Sequence, residues 1–241
     1  MKHIWKIYHE YFTTDAWDNF PDSLHPQIVD AFNKKPDLDG VLHGQRHISQ
    51  GSVGKRTGLF SSYKNNGMIP YESQLELAHA IQLERNPSVK YYRTQALKIP
   101  ISHNQFLYPD FLIKYTNEEI AFHEVKHSKR FLDQKDIERY QRLKILLAPS
   151  GITFDIVDRH DLYSDAEAKV LLHYNRRSHA RNWSSFEIQF ALSLLTRSTS
   201  LVKNQLMSIL KNNGLPLELG EFLIFHKYIK LNTPNNKQGG I

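Results

Sequence analysis

The stretch AFHEVKHSKR, Ala121–Arg130, decides the fold of this chain, because it fits two metal chemistries that need different secondary structures. Residues 123–127, HEVKH, match the H-E-x-x-H pattern of zinc proteases. Residues 124–126, EVK, form an acid-x-Lys triplet of the kind that magnesium nucleases use. The zinc pattern requires a helix and the triplet suits a strand, so the flanking residues decide between them.

The zinc interpretation is disfavoured by the residues around the motif. Only on a helix do His123 and His127, four residues apart, lie close enough on one face to reach one metal ion. The segment IAFHEV is β-prone and follows a predicted hairpin turn at 116–118, which favours a strand. The continuation H-x-x-G-x-x-H, which would add a third ligand, does not follow.

The strand interpretation brings acidic side chains together. Side chains alternate along a strand, so Glu124 and Lys126 point to one face and Val125 to the other. Asp110, in the segment YPDFLI, begins the preceding strand of the predicted hairpin and therefore lies beside the end of the Glu124 strand. Carboxylate oxygens are the ligands that Mg²⁺ prefers. Glu76, on the helix before the sheet, can supply a third acid.

These residue types suit the hydrolysis of a phosphodiester, which needs an activated water and neutralised charge on the phosphate. Mg²⁺ or Mn²⁺ held by Asp110, Glu124 and Glu76 would lower the pKa of a bound water and screen the phosphate. Lys126 beside the metal can orient or deprotonate that water, or stabilise the phosphate. Closely packed carboxylates repel each other without a cation, which itself predicts metal binding.

The segments around the motif predict one compact α/β unit. Residues 71–87 have the apolar spacing of a helix that Asn86-Pro87 ends, and residues 88–101 are rich in β-branched and aromatic residues, as in a strand. Two strands within residues 106–128 follow, and Asp133 is placed to cap a helix that runs to about Leu147. Residues 152–158 form a last buried strand. The predicted order is α-β-β-β-α-β.

The pattern changes near residue 165, which divides the chain into three regions. Residues 1–45 have no sustained period and are interpreted as an N-terminal extension. Residues 46–165 hold the α/β unit, and residues 166–241 read as three helices followed by a short helix and a strand pair. We therefore expect a mixed sheet flanked by helices, with a mainly helical, winged-helix-like C-terminal domain.

The positive charge is concentrated in the C-terminal region. Residues 166–241 hold ten Lys or Arg and four Asp or Glu, which accounts for the formal charge of +6 on the whole chain. A basic region suggests a polyanion such as DNA, and helices 185–197 and 200–213 could form a helix-turn-helix pair. A protein-docking domain explains the charge equally well. Candidate DNA-binding residues are Lys55, Arg56, Lys64, Arg176, Arg177, Arg181 and Lys203.

The composition gives expectations about the compartment. Cysteine is absent, which excludes disulfides and thiolate metal sites and fits a reducing compartment. The N-terminal residues MKHIWKIYHEYF show neither a long apolar core nor a cleavage-site pattern. No stretch approaches the roughly 20 apolar residues that cross a bilayer. We expect a cytoplasmic protein without a membrane partner.

The order of helix acid, PD strand, hairpin, EVK strand and amphipathic helix resembles the PD-(D/E)XK nuclease superfamily, which implies a restriction-endonuclease-like core. The segments GKRTGLFSSYKNNGMIPYES, YESQLELAHAIQLERNPSVKYYRTQALKIPI, YPDFLI and FHEVKHSKR further resemble the N-terminal domain of TnsA endonucleases. The resemblance covers roughly residues 50–160. It implies that Glu76, Asp110, Glu124 and Lys126 are catalytic. Some relatives carry Gln at the position of Glu124, and Glu72 is an alternative to Glu76.

This resemblance implies an endonuclease that cuts the 5′ strands at the ends of a cut-and-paste transposon. Its partners would be double-stranded DNA, a TnsB-like DDE transposase that cuts the 3′ strands, and a TnsC-like AAA+ ATPase that docks on the C-terminal domain. Two alternatives stay open. A free-standing restriction or repair nuclease would have the same active site, and a non-catalytic winged-helix DNA-binding protein would use the α/β domain as a scaffold.

Overall fold

A computed structural model describes residues 20–48, 51, 56–102, 105–179, 181–195 and 201–231. The chain forms two compact units, Met1–Asp165 and Ala166–Ile241. Within the described residues, no helix has both the length and the apolar character needed to cross a membrane.

The described part of the first unit contains three α-helices and eight strands. In chain order these elements are α1 (Phe20–Asn33), β1 (Gly58–Ser62), β2 (Gly67–Tyr71), α2 (Gln74–Arg85), β3 (Val89–Thr94), β4 (Ile99–Ser102), β5 (Gln105–Leu107), β6 (Phe111–Tyr115), β7 (Ile120–Lys126), α3 (Gln134–Leu147) and β8 (Thr153–Asp158). Strands β1 and β2 form one two-stranded sheet, and β4 and β5 form another.

The central sheet of the first unit is mixed, with the strand order β3-β6-β7-β8. Strands β3, β6 and β7 are antiparallel neighbours, whereas β7 and β8 run parallel. A parallel pair needs a long crossover connection, and α3 supplies it between β7 and β8. Helices flank the sheet, since Phe122 of β7 packs with Leu143 of α3, and His79 of α2 contacts Phe111 of β6. The predicted mixed sheet flanked by helices is confirmed.

Both predicted helices around the sheet begin at a side-chain cap, of which the one at Asp133 was predicted. Ser73 caps α2 by accepting a hydrogen bond from the Glu76 amide at 3.1 Å. Asp133 caps α3 by accepting from the Asp136 amide at 2.7 Å. A side-chain acceptor at this position satisfies an amide that has no partner inside the helix. Both helices therefore begin where their sequences fix them.

One predicted strand is divided in two. Residues 88–101 were expected to form a single strand, but β3 ends at Thr94 and β4 begins at Ile99 in a different sheet. The break occurs at Gln95, whose φ of +50° is left-handed and cannot continue a strand. The sequence does not predict this break, because Gln seldom adopts positive φ.

Residues 20–45, which the sequence suggested as part of an extension, belong to the first unit. Leu24, Ile28 and Ala31 of α1 are buried in the same core as Leu112 and Phe122. A contiguous set of buried apolar side chains is the mark of one domain core. Helix α1 is thus an integral part of this unit, while residues 1–19 lie outside the described part of the chain.

The regular secondary structure of the second unit, within its described residues, consists of helices. Its helices are α4 (Asp165–Ser178), α5 (Ser185–Leu195), α6 (Lys203–Asn212) and α7 (Leu217–Phe225). Helix α4 begins one residue before the unit boundary. The predicted helices at 185–197 and 200–213 are present as α5 and α6, and residues 196–200 between them are not described.

The predicted strand pair after these helices is not found in the described residues up to 231. Residues 217–225 form α7, which is the short helix predicted before this strand pair. Leu219, Phe222 and Leu223 from this helix are buried with Leu206 and Leu210 of α6. This spacing of three and four residues matches one helical face. A winged-helix arrangement is therefore not confirmed.

Candidate active site

Asp110 lies immediately before β6, where the register places it between two neighbouring strands. Phe111 is opposite His123 of β7 and Thr94 of β3, so the preceding residue faces Glu124 and Gln95. The Oδ2 atom of Asp110 accepts from the Val125 amide at 2.8 Å, and its Oδ1 atom accepts from Nε2 of Gln95 at 3.2 Å. Both oxygens are held, so the orientation of this carboxylate is fixed at the end of the sheet.

Glu124 is a buried carboxylate whose two oxygens differ in their surroundings. Its Oε1 atom accepts from Nζ of Lys126 at 2.8 Å and from the Tyr140 hydroxyl at 3.1 Å. Its Oε2 atom is buried and has no hydrogen-bond partner. A buried carboxylate oxygen without a donor or a cation is costly. The unpartnered oxygen therefore indicates a ligand position beside Asp110.

The side chains of β7 alternate between the two faces of the sheet. Glu124 contacts Tyr140 of α3, whereas Nδ1 of His123 lies 3.0 Å from Nε2 of His79 on α2. Lys126 reaches Glu124 and therefore shares its face. The EVK triplet occupies a strand, as its flanking residues predicted, and His123 points away from the acids.

The protonation of the site follows from burial and from the like charges that meet there. Burial raises the pKa of Asp110 well above its ordinary value, and the charges of Glu124 and Glu76 add to this effect. Burial also raises the pKa of Glu76. For Lys126, burial lowers the pKa, but the charge and hydrogen bond of Glu124 outweigh it and the net direction is upward. Lys126 is therefore an ammonium ion beside the acids.

Glu76 occupies the N-terminal turn of α2 and makes local hydrogen bonds. Its Oε2 atom accepts from the Glu72 amide at 2.8 Å, and its Oε1 atom accepts from the Ser73 hydroxyl at 3.0 Å. Together with the Ser73 cap described above, these hydrogen bonds hold the Glu76 side chain against the start of α2. Glu72 precedes the helix, so the two acids do not share a helix face, and only Glu76 contributes to the raised pKa of Asp110.

The donor set fits a hard divalent cation at Asp110 and Glu124. These two carboxylates lie opposite each other in the register, and one oxygen of Glu124 is buried without a partner. Among the residues described, no three His, Cys, Asp or Glu side chains form a group that could hold a metal. The pair fits Mg²⁺, which binds through one or two carboxylates and keeps several waters.

The H-E-x-x-H letters do not form a zinc site. His123 lies on β7 and is paired with His79, whereas His127 follows the strand and is exposed. On a strand, residues four apart share a face but are separated by about 13 Å. The two imidazoles therefore cannot bind one metal ion.

The predicted DNA-binding residues lie in different environments. Arg56 is exposed, and Lys55 lies outside the described residues. Lys64 is partly buried, and its ammonium group donates to the carbonyl oxygens of Asn86 and Val89. Burial lowers the pKa of Lys64. This lysine stabilises the turn between α2 and β3 rather than presenting a surface charge.

In the second unit, the predicted DNA-binding residues differ in the partners of their charged groups. Arg177 pairs with Glu221 at 2.5 Å and with Glu218 at 3.6 Å. Arg181 pairs with Glu187 and lies over the Trp183 ring. Lys203 lies over the Tyr174 ring, with Nζ 4.7 Å from its centroid. Arg176 is exposed and forms no ion pair within the described part of the chain.

Sequence reasoning missed three residues that contact the acids directly or through one partner. Tyr140 fits the apolar spacing of α3 and gives no sign of a polar role in the sequence, although a buried tyrosine hydroxyl normally requires a partner and Glu124 provides it. Gln95 binds Asp110, and Arg46 donates to Gln95. No sequence signal identifies Gln95 or Arg46, because their contacts depend on strand register and on a loop 49 residues away.

Comparison with known proteins gives one family match. Residues 86–159 match the family described as TnsA-like endonuclease N terminal. The matched segment runs from the end of α2 through β8 and contains Asp110, Glu124 and Lys126, but it does not contain Glu76 or the second unit. No curated protein matches the chain. A TnsA-like endonuclease domain indicates a nuclease that acts in transposition, and the match supports the TnsA-type endonuclease that the sequence motifs suggested.

Proposed function

We propose that the protein is a divalent-metal-dependent endodeoxyribonuclease that cuts the 5′ strands at transposon ends during cut-and-paste transposition. The observation that carries this proposal is the contrast between the two oxygens of Glu124. One oxygen is held by Lys126 and Tyr140, while the other is buried without a partner beside Asp110. A buried acid pair with an adjacent ammonium group suits the hydrolysis of a phosphodiester.

Each residue of the site has a distinct part in this chemistry. Asp110 and Glu124 would hold Mg²⁺ or Mn²⁺, which when bound lowers the pKa of a coordinated water and screens the phosphate charge. Asp110 is kept in place by Val125 and Gln95, so it presents a fixed carboxylate. Lys126 lies within hydrogen-bonding reach of Glu124. Its positive charge would stabilise the scissile phosphate.

Glu76 contributes to this site through its charge and through the start of α2, which its side chain stabilises. Its charge raises the pKa of Asp110, and its two oxygens hold the start of α2. We assign it to the surroundings of the metal and not to the two carboxylates that bind it. It stays within the catalytic group, because it adds a third negative charge that favours a cation.

A single site of this kind hydrolyses one phosphodiester at a time, so a double-strand break needs a second active site. In the proposed function a TnsB-like DDE transposase cuts the 3′ strands. The second unit, which carries the net positive charge of the chain, binds transposon DNA or a TnsC-like AAA+ ATPase. Exposed Arg176 is available to a polyanionic partner, since no ion pair holds it among the described residues.

The test uses end-labelled transposon DNA with this protein and the TnsB-like transposase present and with Mg²⁺ or Mn²⁺ added. Asp110→Ala should remove the 5′ strand product and leave the 3′ strand nicks intact. Loss of both products would show that the variant disturbs assembly and not the site. Efficient double-strand cutting by this protein alone, on DNA without transposon ends, would establish a free-standing nuclease instead. Absence of 5′ cleavage by the wild type in every condition would reject the nuclease.

A further inference from the structure

The loop of residues 44–46 lies directly on the end of β3, next to the acids. The Gln45 amide donates to the carbonyl oxygen of Gln95 at 2.8 Å. A Cβ atom on Gly44 would lie 2.3 Å from the Gln95 carbonyl oxygen and 2.4 Å from that of Thr94. No side chain fits in that space, so glycine is required for the loop to approach. The loop therefore has a fixed position against the site.

Gln95 is buried and has a left-handed backbone, with φ of +50°. This conformation is unfavourable for a non-glycine residue, and it persists where the surroundings hold it. Its Nε2 atom donates to Oδ1 of Asp110 at 3.2 Å, and its Oε1 atom accepts from Nε of Arg46 at 2.5 Å. Because Arg46 occupies the amide oxygen, the amide nitrogen is the group that faces Asp110.

Arg46 connects two elements that carry acids. Its Nη2 atom donates to Oε2 of Glu72 at 2.6 Å, while its Nε atom donates to Gln95. The amide of Glu72 in turn donates to Glu76. A planar guanidinium can serve both partners at fixed angles, which a lysine ammonium cannot do. One arginine thus links the strand end at Asp110 to the helix start at Glu76.

We propose that Arg46 and Gln95 are positioning residues, which hold the Asp110 carboxylate in the orientation that binds the divalent cation. This inference rests on the proposed function. Carboxylates that bind metals are usually held by outer hydrogen bonds, and loss of such a bond typically costs 10- to 100-fold in metal affinity. Of the two oxygens of Asp110, one depends on the backbone of β7 and the other on Gln95.

The test replaces Arg46 by lysine, which keeps the charge but cannot direct donors at both Gln95 and Glu72. The Kd for Mn²⁺ alone, measured by calorimetry on the full chain, should rise about tenfold. The cleavage rate at subsaturating Mn²⁺ should fall, and excess Mn²⁺ should restore it. The KM for DNA should stay unchanged, since Arg46 acts through Asp110.

A second variant and a control accompany this measurement. Gln95→Leu removes the hydrogen bond to Asp110 and should raise the Kd for Mn²⁺ at least as much; if it does not fold, Arg46→Lys decides alone. Arg85→Lys makes the same chemical change at the far end of α2, where Nη1 of Arg85 donates to the Tyr163 hydroxyl at 2.7 Å. This control should bind Mn²⁺ and cleave DNA like the wild type.

The outcomes separate this inference from the proposed function. If the wild type is active and Arg46→Lys binds Mn²⁺ as tightly as the wild type, the inference is overturned and the proposed function stands. In that case a lower melting temperature of the variant would make Arg46 purely structural. A higher KM for DNA would make Arg46 a DNA contact. A wild type without Mn²⁺-dependent cleavage would reject the proposed function and this inference with it.

Discussion

Glu124 and Lys126, two residues apart on β7, meet through Oε1 and Nζ at 2.8 Å. The same oxygen accepts from Tyr140, so the lysine is not the only donor that holds Glu124 in place. Replacing Lys126 should therefore leave the Glu124 carboxylate in place, so the effect of the lysine on cleavage can be measured separately from its effect on metal binding. This relationship gives the first prediction.

Lys126→Met keeps the aliphatic stem and removes the charge. We expect cleavage to fall by about 100-fold or more, the usual effect of losing one group that stabilises developing charge. Mn²⁺ binding by calorimetry should persist, because Asp110 and Glu124 remain. Lys129→Met is the matched control. Lys129 lies three residues after Lys126 and pairs with Asp161 at 2.6 Å, so it should be dispensable for cleavage. Full cleavage by Lys126→Met would reject its catalytic role.

The acid pair predicts that the first unit is stabilised by metal. Asp110 is partly buried near Glu124 and Glu76, and a bound cation relieves the repulsion among them. Saturating Mn²⁺ should raise the melting temperature of the wild type, because a ligand that binds only the folded state stabilises it. A chelator should reverse the effect. Asp110→Ala should show the same melting temperature with and without Mn²⁺; an equal rise in this variant would place the metal elsewhere.

The sequence predicted the two strands of the active site because their patterns are local. Alternation along β7 and the turn before it place Glu124 and Lys126 on one face, and the capping residue Asp133 marks where α3 begins. The break at Gln95 could not be predicted, since Gln seldom adopts positive φ and the loop at Gly44 that packs against this residue lies far away in the chain.

In the candidate site, too, the residues that belong to local sequence motifs were predicted, whereas those that reach the site through long-range packing were not. Asp110, Glu124 and Lys126 carry sequence motifs, and the structure brings them together at the end of the sheet. Tyr140 and Arg46 carry no motif, because each contact with the site depends on how a separate helix or loop packs. The short helix predicted after residue 216 is present as α7, whereas the strand pair predicted after it is not confirmed, because no strand follows α7 within the described residues up to 231.

The buried His79 predicts how the free energy of unfolding depends on pH. Burial lowers its pKa from 6.5 to about 3, and the neighbouring His123 adds to this effect. Below pH 6.5 the unfolded chain takes up a proton that the folded state does not, so the free energy of unfolding should fall as the pH drops from 6.5 towards 3. Because one proton is involved, His79→Gln should reduce this slope by up to about 1.4 kcal/mol per pH unit.

Urea unfolding between pH 7.5 and 4, with a chelator present, measures this slope. His160→Gln is the control, since His160 is exposed and its replacement should leave the curve unchanged. If the curves of the wild type and His79→Gln run parallel over this range, His79 is not the group that titrates.

Adjacent arginines in α4 predict which residue of the second unit contacts DNA. Arg177 is paired with Glu221, which is buried, whereas exposed Arg176 forms no ion pair among the described residues. A lysine or arginine that neutralises a phosphate releases about one counterion. Arg176→Ala should therefore weaken duplex binding and reduce the slope of log affinity against log salt by about 0.9. Arg177→Ala should instead lower the melting temperature, because Glu221 loses its partner.

Fluorescence anisotropy of the full chain with labelled duplex, between 50 and 200 mM salt and with a chelator to prevent cleavage, separates the two variants. If DNA is the partner of this unit, only Arg176→Ala should change the salt slope. Equal slopes for the wild type and Arg176→Ala would show that this arginine neutralises no phosphate. Arg176→Ala should then be tested for binding to the ATPase, where loss of the complex would identify a protein as the partner of this surface.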